Sequence, residues 1–355
     1  MALDSRLTIV VGSGGVGKTT LAAALGLRSA AAGFKTLVMT FDPSRRLKDA
    51  LGIEDADANQ ELAVQGTEGR LYASLLDARA TFDSLVERYA EDDAARQRIL
   101  SNSYYSHLAG HLGGILEYMA VERLYEVASD GGYQRIILDT PPTAQAIDFL
   151  EAPQRIVDFL DSGALKIALA PWFADDGTLK ATSRLSFVGR SLEQFLDRIV
   201  GLQLLRDMSE FFRAFGPLFP GFRQRASETE QLLGDEETRF VLVTGAGADR
   251  IPDTLFFARK LEEAGYRLGP VVVNRVHPEV ATEEDEHTAS EGRRLLRWLG
   301  ERHRRGLVEL QALLRPDQTL VAMPLAGDEP TDLAALDGLG QELEQRWHAA
   351  LRQTR

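Results

Sequence analysis

One stretch near the start, residues 6–20 (RLTIVVGSGGVGKTT), constrains this chain more than any other. Its β-branched, apolar opening (Leu7, Ile9, Val10, Val11) predicts a buried strand, and the Ala- and Leu-rich pattern from about Thr19 to Ala32 predicts a helix. Between them, Gly12-Ser13-Gly14-Gly15-Val16-Gly17-Lys18-Thr19 fills every position of G-x-x-x-x-G-K-[ST] in the strand–turn–helix setting that pattern requires. Glycines let successive backbone N–H groups converge on an anion, and a helix N-terminus adds the positive end of its dipole. The residues therefore predict a phosphate site. Gly12, Gly14, Gly15, Val16 and Gly17 form the cradle, Lys18 neutralises β- and γ-phosphates, the Thr19 hydroxyl binds magnesium, and Thr20 meets the α-phosphate. The competing reading is an ordinary glycine turn joining strand to helix.

Downstream, Gly33 marks a helix stop and residues 35–41 read as a second strand, ending in Asp42-Pro43. In a parallel sheet that end faces ligand, where an acid can orient or polarise an attacking water. Asp-Pro also starts turns, so Asp42 equally suits a helix N-cap. Residues 54–69 read as loop and 70–77 as a short strand. From 78 to about 129 the pattern is helical, with segments at 80–99 and 108–128. His107 and His111 share a face at i, i+4, but no Glu lies between them as in H-E-x-x-H, and they read as surface histidines. Residues 133–139 form a strand ending in Asp139, an acid placed to hold magnesium directly or through water; its alternative role is capping the next helix. Thr140-Pro141-Pro142-Thr143 reads as a stiff loop able to sense a γ-phosphate.

Residues 150–235 show no strand pattern. Apolar residues recur at helical spacing from Ser183 to Phe215, followed by Phe219 and Phe222. This predicts a helical insertion, with its apolar face either packed as core or presented as a groove for a hydrophobic partner. Strands follow at 239–244, 270–274 and 319–323, with helices at 252–264 and 289–314. The 270–274 strand ends in Asn274, whose amide suits an adenine edge but also suits a turn. Several of the arginines in 289–314 lie opposite Glu291, Glu301 and Glu309, which reads as a solvated or partner-facing surface. The closing helix carries Leu333, Leu336, Leu339, Leu343, Trp347 and Leu351 and is expected to dock on the body of the protein. The whole is expected to be α/β: a doubly wound, mostly parallel sheet in one domain over 1–355, with a helical subdomain from about 78–130 and 150–235.

Composition narrows the partners. The net charge of −13 over 355 residues argues against nucleic acid. The absence of cysteine excludes disulfides and thiolate metal sites in this chain. No apolar run approaches the ~20 residues needed to span a bilayer. The first strand begins almost at once, leaving no room for a signal peptide, and a cytoplasmic location is expected.

Taken in order, GSGGVGKTT, FDPSRRLKDALG (41–52), ILDTPPTAQAIDFLEAP (137–153), VVVNRVHP (271–278) and MPLAGDEPTDLAAL (323–336) resemble the ArsA/Get family of ATPases, most nearly the bacterial Get-like ones. That family belongs to the deviant-Walker-A class with MinD, ParA and nitrogenase iron protein. The likeness covers nearly the whole chain. It implies a magnesium-dependent ATPase that cycles between ATP and ADP. It also implies a nucleotide-gated homodimer, or a heterodimer with a related ATPase, and a hydrophobic protein client. Asp42 matches the acid that activates water and Asp139 the acid near magnesium. Asn274 matches the residue that reads adenine, and Pro324 and Leu325 match the segment covering the base.

Three departures stand out. The family's signature lysine, directly after the first glycine, is Ser13 here. In relatives that lysine reaches the partner's phosphates. A trans cation of this kind is worth about 10³–10⁵ in rate by analogy with arginine fingers. Slow hydrolysis, a cation from another subunit, or a nucleotide-sensing scaffold with little turnover follows from its loss. The usual Gly-His after the D-T-x-P-T loop is Ala144-Gln145. Without cysteine, neither an arsenite thiolate site nor the Cys-x-x-Cys zinc clip can form.

Overall fold

The run LTIVVG folds as β1 (Leu7–Gly12), with all six residues buried, because it lies in the middle of a sheet covered on both faces. The computed structural model describes residues 5–41, 47, 51–53, 59–102, 115–141, 143–161, 215–280 and 291–353. Its sheet contains β2 (Thr36–Thr40), β3 (Glu61–Ala63), β4 (Leu71–Leu75), β5 (Arg135–Asp139), β6 (Thr238–Gly245), β7 (Leu268–Val276) and β8 (Leu320–Pro324). The strand order is β3-β4-β2-β5-β1-β6-β7-β8. Every neighbouring pair is parallel except β3 with β4. The sheet is thus doubly wound and mostly parallel, as expected. The chain winds outward from β1 on both sides, so a crevice opens at the carboxyl ends of the central strands.

Register sets the site. Val10 pairs with Asp139 across β1 and β5, and Thr40 pairs with Asp139 across β2 and β5. One row of the sheet therefore brings the strand-end acid beside a hydroxyl and directly under the loop that leaves β1.

Helix α1 (Lys18–Ala31) follows that loop. Ala22, Ala23 and Ala24 are buried along with Leu21 and Leu25, since the helix is sandwiched between the sheet and α9 (Leu333–Gln353). Small side chains permit the close approach: a Cβ on Gly340 would sit 2.9 Å from Ala24 O. Leu336, Leu343 and Trp347 of α9 complete this core, and Arg28 of α1 bridges Asp337 at 3.1 Å and Glu344 at 3.0 Å. The closing helix docks on the body, as its apolar stripe predicts. On another stretch of the sheet lie α7 (Ile251–Glu263) and α8 (Glu291–Leu313), whose Gly306 lies against Ala246 O.

Two compact units are distinguishable. One comprises Met1–Leu76, Glu126–Ile147 and Gln231–Arg355 and holds the sheet; the other comprises Asp77–Tyr125 and Asp148–Glu230. The second is helical among the described residues: α2 (Ala78–Tyr89), α3 (Asp93–Leu100) and most of α4 (Ile115–Ser129), α5 (Thr143–Asp161) and α6 (Phe219–Gly234). Phe82, Phe215 and Phe222 meet edge-on or tilted, with centroids 5.0–6.3 Å apart, and all three are buried. Phe215 and Phe222, two of the phenylalanines in the predicted apolar cluster, are core. Beneath them Glu122, 2% exposed, pairs with Arg225 and accepts a hydrogen bond from Tyr118 Oη at 2.7 Å. Burial and the Glu122 charge push the Tyr118 phenol far up.

Two sequence expectations are corrected. Residues 54–69 include β3, a strand too short and polar to show a period-2 pattern, held on the sheet by antiparallel pairing with β4. The segment 80–99 is two helices. Asp92 ends the continuity by accepting from Ala95 N at 2.6 Å, an N-cap that starts α3. Asp42, His107, His111 and the helical pattern from Ser183 up to residue 214 lie outside the described residues.

Candidate functional site

The phosphate loop is shaped by two close approaches. Gly12 leaves β1 at φ +142°, and a Cβ there would sit 1.9 Å from Val243 O, so only glycine lets β1 stay paired with β6 to its last residue. Gly17 caps α1 at φ 93°, ψ 26°, and a Cβ there would lie 2.5 Å from Asn274 Nδ2. No side chain caps α1, which leaves its first N–H groups directed at the loop. Lys18, 7% exposed, donates through Nζ to Ser13 O at 3.0 Å. The ammonium is thereby folded back over the loop.

Asp139 is 1% exposed. Its Oδ2 accepts from Thr19 Oγ1 at 2.7 Å and from Thr40 Oγ1 at 2.9 Å. Burying a carboxylate is costly unless it is hydrogen-bonded or binds a cation; the two hydroxyls supply part of that compensation. Thr140 secures the next turn by donating from Oγ1 to Val10 O at 2.8 Å and from its backbone N–H to the same oxygen at 3.2 Å. Thr19 and Asp139 present hard oxygen donors side by side, the ligand type that magnesium selects.

Asn274, near the end of β7, is 8% exposed and donates from Nδ2 to Val16 O at 2.8 Å. Leu325 N donates to Val276 O at 2.8 Å, which places the Pro324–Leu325 loop beside the end of β7. The structure thus brings Gly12 to Thr19, Asp139, Asn274 and the Pro324–Leu325 loop to the carboxyl end of the sheet; Asp42 is outside the described residues. The sequence reading missed Thr40 and Arg275, and took Thr140 only as part of the loop that senses a γ-phosphate. Thr40 lies two residues before the predicted acid Asp42, which is a usable signal. Arg275 had none. Two residues past it, His277 N donates to His303 Nδ1 at 3.1 Å, and burial together with His277 and Arg302 lowers the His303 pKa. Among the described residues no cluster of three or more His, Asp or Glu forms a further metal site, and no helix is long and apolar enough to cross a membrane.

A parallel, doubly wound sheet with this loop between β1 and α1, and an acid at the end of β5, is the P-loop nucleotide-binding fold. Residues 5–345 match the ArsA ATPase family, described as anion-transporting ATPases, and the chain belongs to that family. Protein Rv2184c of Mycobacterium tuberculosis is 26% identical over 98% of this chain and 77% of its own length. ATPase GET3B of Arabidopsis thaliana is 27% identical over 75% of this chain and 63% of its own. ATPase ARSA1 of Chlamydomonas reinhardtii is 25% identical over 65% of this chain and 34% of its own. The chain therefore spans from about a third to about three quarters of these relatives.

Proposed function

We propose that this chain binds magnesium-ATP at the carboxyl ends of β1, β5 and β7 and hydrolyses its β–γ anhydride, working as a nucleotide-gated dimer in the cytoplasm. The observation that carries the reading is the Thr19 hydroxyl 2.7 Å from the buried Asp139 carboxylate, beside a lysine folded over a glycine loop. Thr19 and Asp139 would hold magnesium, which supplies charge neutralisation at the phosphates. Lys18 swings from the Ser13 carbonyl to the β- and γ-phosphates, and the loop N–H groups with Thr20 take the remaining oxygens. Thr40 keeps the Asp139 carboxylate oriented. Asp42 orients a water in line with the γ-phosphorus and accepts its proton, and ADP and phosphate leave. Asn274 and the Pro324–Leu325 loop take the adenine. One such site per chain implies that a second copy or a related ATPase faces it, and the helical unit is the place for a hydrophobic protein client.

A second reading is supported by Ser13, which carries no charge where the family resemblance implies a lysine. The chain would then bind ATP and signal that state with little turnover. Calorimetric titration with magnesium-ADP tests the shared premise. Lys18→Ala should raise the Kd at least about tenfold, a charged hydrogen bond being worth about 1.5–3 kcal/mol. Equal affinity in the two proteins would remove Lys18 from the phosphate site.

A further inference from the structure

Two consecutive residues at the end of β7 hold two consecutive carbonyls of the phosphate loop. Asn274 Nδ2 donates to Val16 O at 2.8 Å, and the Arg275 guanidinium donates from Nη1 to Gly15 O at 3.3 Å. Arg275 reaches the loop because its backbone turns into the left-handed region at φ +59°, which few non-glycine residues adopt. Its N–H is taken up by Asn274 Oδ1 at 2.9 Å, so the two residues brace each other. Backbone strain of this kind persists where surrounding contacts over-determine it.

We propose that Arg275 is a positioning residue: together with Asn274 it clasps the phosphate loop from outside and strengthens the peptide N–H groups that grip phosphate. The inference rests on the phosphate-site reading above. In a planar trans peptide the C=O and N–H point opposite ways. The Gly15 carbonyl shares its peptide unit with the Val16 N–H, and the Val16 carbonyl shares its unit with the Gly17 N–H. A cation on the first carbonyl and an amide on the second therefore turn both N–H groups away from the clasp, and polarise them as donors. Arg275 brings a positive charge to a loop that has serine at position 13. It does so in cis, through the backbone, and without contacting the base. If Asn274 releases Val16 O on taking an adenine, Arg275 still fixes the loop. Phosphate grip and base recognition are then separable, with Arg275 serving the first.

The test is calorimetric titration of the full chain with magnesium-ADP and with magnesium tripolyphosphate, which has phosphates and no base. Arg275→Ala is expected to weaken both ligands by the same factor, about five- to tenfold, and Arg275→Lys to recover most of that loss by keeping one charged donor. In ¹H–¹⁵N spectra of the ligand-free protein, the Val16 amide proton moves upfield in Arg275→Ala and returns in Arg275→Lys. The Gly17 amide responds instead to Asn274→Ala. A misfolded variant would lose dispersion throughout, which the spectra reveal directly; Arg275→Gly, which also relieves the positive φ, then supplies the same comparison. Loss of ADP affinity alone, or unchanged affinities with an unmoved Val16 amide, overturns the proposal. A wild type that binds neither ligand overturns the phosphate-site reading itself, and this inference with it.

Discussion

Replacing Gly17 with alanine tests the joint between the phosphate loop and β7. At φ 93° an alanine is in a left-handed conformation that costs about 1–2 kcal/mol. Its Cβ would also lie 2.5 Å from Asn274 Nδ2, so the amide must leave and forfeit its bond to Val16 O, at about 1 kcal/mol. Reduced freedom of the unfolded chain returns about 0.4–1 kcal/mol. The net expectation is a loss of about 2 kcal/mol for the sheet-bearing unit, read by urea unfolding as a lower midpoint with an unchanged m-value. The double variant Gly17→Ala/Asn274→Ala isolates the clash. Once Asn274 is gone, adding the alanine costs only the backbone term, so the two substitutions should couple by about 1 kcal/mol. Strict additivity, or a Gly17→Ala protein within about 0.5 kcal/mol of wild type, would refute the geometry.

Other outcomes follow from the same structure. Asp139→Asn should abolish the gain in ADP affinity that magnesium gives, measured by titration with and without chelator; a persistent gain would place the metal elsewhere. Glu122→Ala leaves the Arg225 guanidinium, 11% exposed, without its carboxylate and should cost about 3–5 kcal/mol, whereas Glu122→Leu/Arg225→Met should be tolerated far better. Because folded His303 takes its proton below the ordinary value of 6.5, the unfolded chain binds more protons as the pH falls through that region. The His303 contribution is present above about pH 6.5 and lost on acidification, so urea midpoints at about pH 7.5 and 5.5 should differ less in His303→Asn than in wild type.

The sheet was legible in the sequence because its strands are buried on both faces and read as unbroken apolar runs, as in TIVV, LVMT and VVVN. The loop was legible because phosphate chemistry admits few residue types at fixed spacing. β3 was not, since three residues give no period and its strand character comes from pairing with β4. The Ala90–Asp92 break was hidden because helical periodicity runs on in phase across it, while the cap is a single aspartate. Asn274 was recognised as an amide suited to adenine, but its bond to Val16 O joins residues 258 apart in sequence, which no local pattern encodes. Arg275 carried no local signal; a backbone angle and a distant carbonyl give it a place in the site.

The central claim is that this site cleaves ATP. Single-turnover hydrolysis of labelled magnesium-ATP, at protein concentrations high enough for dimers, compares wild type with Asp42→Asn and Ser13→Lys. The account predicts slow cleavage in wild type, none in Asp42→Asn, and acceleration in Ser13→Lys. Tight ATP binding with no cleavage in wild type, even over many hours, would contradict it and leave a nucleotide-sensing scaffold in its place.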